Sequence, residues 1–407
     1  MTPAIIITFC LLLLIAYIFN LTSGYTKIPS VILLLLLGWG IQQVTSYLEI
    51  SLPSFSPILP VLATIGLVLI VLEGALELNL NKSKIGLITK SFFGALLPII
   101  AMSFILSFAF QMAGGHSLKI ALINAIPLSI ISSAIAIPSV ANLKDNQREF
   151  VIYESSLSDV MGVLFFNFIA LNEDINQASF TFFGLQVLIM IIVSIIATFG
   201  LSFLLGKINH HVKFVPLILL VVLIYEISKV LHLPALIFIL IFGLSLGNLH
   251  LFKGIKWLNK IKTDDFEEQI EKFKDLTIEG AFLLRALFFI LFGYLIETSE
   301  VLNLATLPWS AGIVIVALIL RFLQLKLSNI PIKPLLFVFP RGLITILLFI
   351  AILPEDHIPL VNRSLIIQII ILTALIMAGG IIANKEEKEE IDEQLKPEDS
   401  GAISQEI

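Results

Sequence analysis

Thirteen runs of about 17–25 apolar residues, separated by short polar breaks, leave this chain a single environment in which to fold. Each run can cross about 30 Å of hydrocarbon, where no water satisfies backbone amides and a helix satisfies them internally. The runs occupy approximately residues 4–19, 28–44, 58–78, 85–112, 118–143, 150–171, 180–205, 214–231, 234–249, 277–296, 302–325, 335–353 and 364–383. Hydrophobic residues make up 58% of the 407, against about 45–50% in a soluble chain, and the mean hydropathy is +1.02. The expected fold is an all-α membrane protein of about thirteen transmembrane helices. A division into six, one and six runs suits two inverted six-helix repeats joined by a linker helix, a common transporter plan. The first run lacks a basic n-region and a small-residue cleavage site, so it is expected to be a retained span.

Charge divides the chain further. The formal net charge is −5, yet residues 385–407 alone hold nine acids and three lysines and carry −6. The expected organisation is a transmembrane domain, residues 1–384, and a short acidic tail, residues 385–407, that is disordered and cytoplasmic. Nineteen Lys and Arg residues fall in the tail or beside the ends of runs on the same side, against Lys119, Lys229 and Arg363 on the other. Among the nineteen is Arg321, placed with Lys326 and Lys333 at the end of the eleventh run. The bias puts the N-terminus outside and the C-terminus inside a cell inner (plasma) membrane. The loop 252–275 mixes charged and apolar residues and reads as an interfacial helix or a solvated linker. Cys10 is the only cysteine, so neither a disulfide framework nor a thiolate metal site is available, and no cofactor or nucleic-acid partner is expected.

The sixth run departs from its surroundings. Tyr153 to Asp159 reads YESSLSD, two carboxylates and three serine hydroxyls within an apolar helix. At about 100° per residue, Glu154, Ser155, Ser158, Asp159 and Gly162 fall within an arc of roughly 140°, one polar wedge. An ionised group in hydrocarbon costs several kcal/mol unless it meets water, a counter-charge or an ion, so this wedge points to an ion or proton pathway. Three cations, Lys90, Arg285 and Arg341, also lie inside runs and need acidic or solvated partners. At about 1.5 Å rise per residue, Glu73, Glu154, Arg341, Arg285 and Asp159 lie about 8–15 Å from the cytoplasmic helix ends, in one layer.

The fifth and twelfth runs carry helix breakers beside polar residues. AIPLSIISSAIAIPSV contains Pro127, Ser132, Ser133 and Pro138, and VFPRGLITILL contains Pro340, Arg341 and Gly342. A proline removes an amide donor and frees a carbonyl, so both runs are expected to be broken helices that cross at Ser132, Ser133 and Pro340.

LEGALELNL in the third run, ESSLSD in the sixth and PRG in the twelfth together resemble the NhaP-type sodium/proton antiporters of the monovalent cation/proton antiporter superfamily. The resemblance spans nearly the whole membrane portion. It implies that Asp159 is the ion- and proton-binding carboxylate, that Glu73 helps close the site, and that both meet the transported Na⁺. It further implies that Ser155 is a hydroxyl ligand, that Glu154 and Arg341 form an interhelical ion pair, and that the protein is a homodimer. Ser158 completes the expected ion-binding set; the family usually has Asn there, and electrogenic relatives a second Asp. The family's Thr-Asp-Pro of the fifth run is absent here, and Ser132 and Ser133 stand in that neighbourhood.

Residue chemistry supports the same reading. Na⁺ is a hard cation that takes oxygen ligands, and burial disfavours an ionised carboxylate, so protons and cations can compete for one acid. The expected function is electroneutral exchange of Na⁺ (or Li⁺) for H⁺. The alternatives are K⁺/H⁺ exchange by the same mechanism and a cation channel, for which no repeated filter segment is evident. Intramembrane aspartyl proteolysis needs two aspartates, and Asp159 is the only one within a run, so no enzyme is expected.

Overall fold

The computed structural model describes residues 2–26, 28–49, 57–78, 80–141, 143–207, 213–248 and 264–394. In chain order the helices are α1 (Thr2–Thr26), α2 (Ser30–Tyr47), α3 (Ile58–Glu77), α4 (Ile85–Gly114), α5 (Leu118–Ser129), α6 (Ser133–Ser139), α7 (Asp145–Leu171) and α8 (Gln177–Lys207). They continue with α9 (Phe214–Val230), α10 (Ala235–Gly247), α11 (Asp264–Tyr294), α12 (Thr298–Val301), α13 (Leu307–Leu327), α14 (Leu343–Ala351) and α15 (Arg363–Gln394). Among the described residues, ten segments are long and apolar enough to cross a membrane, with α5 and α6 counted together. The shorter α9 and α10, and α14 with the turn Leu335–Phe337 before it, complete the thirteen expected runs.

Of the two expected breaks, the second contains Pro340 and Gly342, whereas the first lies between Pro127 and Pro138, each of which sits inside a helix. Residues 130–132 are extended between α5 and α6, and residues 338–342 between the Leu335–Phe337 turn and α14. The two extended pieces meet: the Ser132 amide donates to the Pro340 carbonyl at 2.9 Å. Backbone groups that leave a helix inside a membrane need such partners, because hydrocarbon offers none. Close approach is permitted by Gly342, where a Cβ would lie 2.7 Å from Ser132 Oγ and 2.8 Å from Ile135 Cδ1.

Helix α7 lies beside this crossing and packs against α3, α4, α5, α6 and α14. It presents Glu154, Ser155, Ser158 and Asp159, all buried, as the wedge predicts. A Cβ at Gly162 would collide with the Ile130 side chain, so glycine lets the first break lie close on α7. On the other side of α3, α11 packs along α2 and α3, and α10 along α3 and α8.

Two boundaries differ from the sequence expectation. The charged stretch from residue 264 is not a separate interfacial helix: it is continuous with α11, because no proline interrupts Asp264–Tyr294 and Glu268 pairs with Lys272 one turn on at 2.6 Å. Residues 252–263 lie outside the described residues. The last helix runs to Gln394, past the expected boundary at residue 384, and residues 395–407 also lie outside the described residues.

Candidate ion-binding site

Asp159 is 1% exposed on the α7 face that meets the first break. Helix α6 starts at Ser133, and its first amide donates to Asp159 Oδ2 at 3.2 Å while the Ser133 hydroxyl donates to the same oxygen. The N-terminus of an interrupted helix, with unsatisfied amides and the positive end of its dipole, is thus aimed at a carboxylate. The other oxygen, Oδ1, is buried with no hydrogen-bond partner among the described residues. No basic side chain among the described residues forms an ion pair with Asp159.

A cavity of about 1060 Å³ leads toward this point, lined by Glu73, Ser133 and Arg285 and also by Glu77, Lys144, Arg148 and Lys333. Asp159 sits behind Ser133. Glu73, expected beside the ion, is held by Arg285, whose Nη2 donates to Glu73 Oε2 at 2.9 Å. This pair gives Arg285 the partner that its sequence position required. Lys90, the other unassigned cation, is exposed on α4 near its start, with no ion pair among the described residues.

The expected pairing of Glu154 with Arg341 is not what the fold makes. Glu154 Oε1 accepts from Arg321 Nη1 at 2.5 Å and from the Gln324 side-chain amide, both on α13. Arg321, placed by sequence at a helix flank, is 2% exposed, and its Nε also donates to the Leu335 carbonyl at 3.0 Å. Arg321 and Gln324 are three residues apart and share a helix face, which the sequence shows; that this face turns inward is a matter of packing against α4 and α15.

Arg341 instead spans the crossing. Its Nε donates to the Leu128 carbonyl and its Nη1 to the Phe339 carbonyl, both at 2.7 Å, while its amide donates to Thr373 Oγ1 at 3.1 Å. The reason is local: breaking the helices leaves carbonyls at the end of α5 and in residues 338–342, and a guanidinium inside the break satisfies them. Glu154 then needs another cation, and α13 supplies it.

The serines divide among different tasks. The Ser158 hydroxyl accepts from the Ile131 amide at 2.9 Å and so fixes the extended segment, keeping its own proton to donate. The Ser155 hydroxyl, one turn before Asp159, donates to the Val151 carbonyl at 2.7 Å, which leaves its lone pairs. Ser132 and Pro340 make the backbone contact between the two breaks. Sequence had marked Ser133 only as part of the broken region, whereas the structure makes it the direct partner of Asp159.

A buried carboxylate at the crossing of two interrupted membrane helices, approached by a cavity that carries charged side chains, is the arrangement of a secondary ion transporter. The family model described as sodium/hydrogen exchanger, transmembrane, matches residues 10–384, and the chain belongs to that family. The fold is shared with the sodium proton antiporter MjNhaP1 from Methanocaldococcus jannaschii at pH 8, at a TM-score of 0.65 and 20% identity over 93% of this chain and 100% of that one. An electron-microscopy map of MjNhaP1 gives a TM-score of 0.66 and 18% identity over 100% of both chains. No curated protein matches this chain. Family and fold together make it a cation/proton antiporter, a multi-pass transporter and not an enzyme.

Proposed function

We propose that the protein exchanges Na⁺ (or Li⁺) for H⁺, one for one, by competition at Asp159. The observation that carries this reading is a mismatch of charges. Glu73 has Arg285 and Glu154 has Arg321, while Asp159 has hydrogen-bond donors but no cation among the described residues. A carboxylate buried without a counter-charge is costly, and either a proton or a monovalent cation relieves that cost. The two cannot bind together without restoring an imbalance, and that exclusion is the coupling.

Oδ2 is already held by Ser133, so the incoming proton or cation meets Oδ1. Lone pairs on Ser155 and Ser158 and the carboxylate of Glu73 complete an oxygen-rich surrounding of the kind hard cations take. Exchange is electroneutral because Asp159 is neutralised in both half-cycles and the hydroxyl of Ser158 cannot add a second titrating site. The same reading includes a plasma-membrane location with a cytoplasmic C-terminus, supported by the Lys/Arg bias of the loops, and a homodimer, supported by the resemblance to NhaP-type antiporters.

Proteoliposomes with an internal pH dye test it, challenged in turn with Na⁺, Li⁺ and K⁺. Na⁺ and Li⁺ gradients are expected to drive proton flux, Asp159→Asn to abolish it in a folded protein, and an imposed membrane potential to leave the rate unchanged. Flux from the Asn variant, a transport current, or exchange driven by K⁺ alone would each overturn the corresponding part.

A further inference from the structure

Among the described residues, two buried or half-buried ion pairs join membrane-spanning helices, and they differ in character. Glu154 and Arg321 are sealed, with side chains 1% and 2% exposed, and their extra bonds to Gln324 and the Leu335 carbonyl hold α7 to α13. Glu73 and Arg285 line the cavity, with side chains 17% and 12% exposed. Only one guanidinium nitrogen touches Glu73, at Oε2, and Oε1 has no hydrogen bond among the described residues. The second terminal nitrogen reaches the Ala134 carbonyl at 3.5 Å, in the first turn of α6 directly after Ser133. Arg285 Nε is buried without a partner. A bidentate fork would use the geometry for which arginine is suited; this single contact leaves the carboxylate half engaged and open to the cavity.

We infer that Arg285 is a resident competitor for Glu73: its guanidinium occupies the carboxylate that an arriving cation would use, and so sets the apparent cation affinity. This inference rests on the assignment of Asp159 as the exchange site. Arg285 is here a positioning residue, acting on the ion through Glu73. With the pair closed, the charges of Glu73 and Arg285 offset each other and Glu73 is turned toward α11. When a cation enters, Oε1 and then Oε2 are available to it, and the guanidinium is left with the Ala134 carbonyl, an acceptor already within reach. The site therefore gains a ligand on ion entry without a second proton-binding acid being exposed while it is empty. Release uses the same competition in reverse, because Arg285 returns to Glu73 as the ion leaves. A structural pair would be expected to resemble Glu154 and Arg321, dry and multiply bonded; this one is wetted and singly bonded.

The test is the apparent KM for Na⁺ of the full-length protein in proteoliposomes, read beside kcat and beside Na⁺-dependent thermal stabilisation in detergent. Arg285→Gln is expected to lower the KM about fivefold, the upper end for a partly exposed ion pair. Adding Glu73→Gln is expected to cancel the gain, bringing the KM to the wild-type value or above it. Arg285→Lys, with one ammonium in place of the fork, is expected to fall between wild type and Arg285→Gln, and it supplies the test if the glutamine variant does not fold. An Arg285→Gln or Arg285→Lys KM that does not fall, or a gain that persists without Glu73, overturns the inference. Asp159→Asn in the same preparation separates the two readings: flux that survives it refutes the exchange site, whereas the order of KM values among the Arg285 variants judges only the competitor.

Discussion

Replacing Arg321 with methionine probes the ion pair that the fold makes in place of the one the motifs implied. Glu154 is 1% exposed and, among the described residues, accepts from two side chains, both on α13. Without Arg321 it keeps the neutral Gln324 amide and loses its counter-charge. Breaking a buried pair in this way costs about 3–5 kcal/mol. The opposite change, Glu154→Gln, is expected to cost less, because Arg321 retains the Gln324 carbonyl oxygen at 2.8 Å and the Leu335 carbonyl at 3.0 Å. The double variant Glu154→Gln with Arg321→Met leaves no unpaired charge, so its loss should fall short of the sum by about 1–3 kcal/mol. Pairing Glu154→Gln with Arg341→Gln should instead give additive losses, since Arg341 bonds to backbone carbonyls and Thr373. Unfolding by SDS titration in mixed micelles measures wild type, the three single variants (Arg321→Met, Glu154→Gln and Arg341→Gln) and the two double variants. Additivity for Arg321, or coupling for Arg341, would show that the ion pair has been placed on the wrong helix.

Removing the hydroxyl in Ser133→Ala takes one of two donors from Asp159 Oδ2 and should weaken apparent Na⁺ affinity about tenfold with turnover less affected, a split read directly from exchange kinetics. An unchanged KM would remove Ser133 from the site. Gly342→Ala forces a methyl to within 2.7 Å of Ser132 Oγ and should cost about 1–3 kcal/mol of stability together with a loss of exchange, by thermal unfolding and dye flux. Wild-type behaviour in both assays would mean that the two breaks do not depend on close approach at that point.

The parts of the site that could be read in the sequence are those fixed by a single helix. The α7 wedge follows from 100° per residue alone, and Asp159 stands out because so little in an apolar run competes with it. The breaks were also legible in outline, because Pro127 and Pro138 bracket the first and Pro340 and Gly342 lie within the second. Which arginine meets which glutamate was not, since Arg285, Arg321 and Arg341 all lie inside or at the ends of apolar runs and the choice among them depends on packing between helices distant in sequence. Arg321 looked like a flank residue beside Lys326, and long cations near helix ends commonly snorkel. Arg341 was misassigned because a motif gives a residue's type and position, while its partners here are carbonyls that exist only once the neighbouring helices have broken. Ser133 lies in the opposite situation: its place at the first residue of α6 depends on the break two residues earlier, so its role became visible only with the fold.

The buried acid at Asp159, without a counter-charge among the described residues, also bounds what such a machine can accomplish. If each turnover trades one Na⁺ for one H⁺ across a site that is neutral in both directions, the voltage across the membrane does no work on the cycle. Transport then stalls when the inside-to-outside ratio of Na⁺ equals that of H⁺. A pH difference of one unit sustains a tenfold Na⁺ difference, about 1.4 kcal/mol, and no more. A cell that relied on this protein alone could expel Na⁺ only while its interior was more alkaline than the Na⁺ gradient was steep, and at alkaline external pH the same carboxylate would run the exchange backwards.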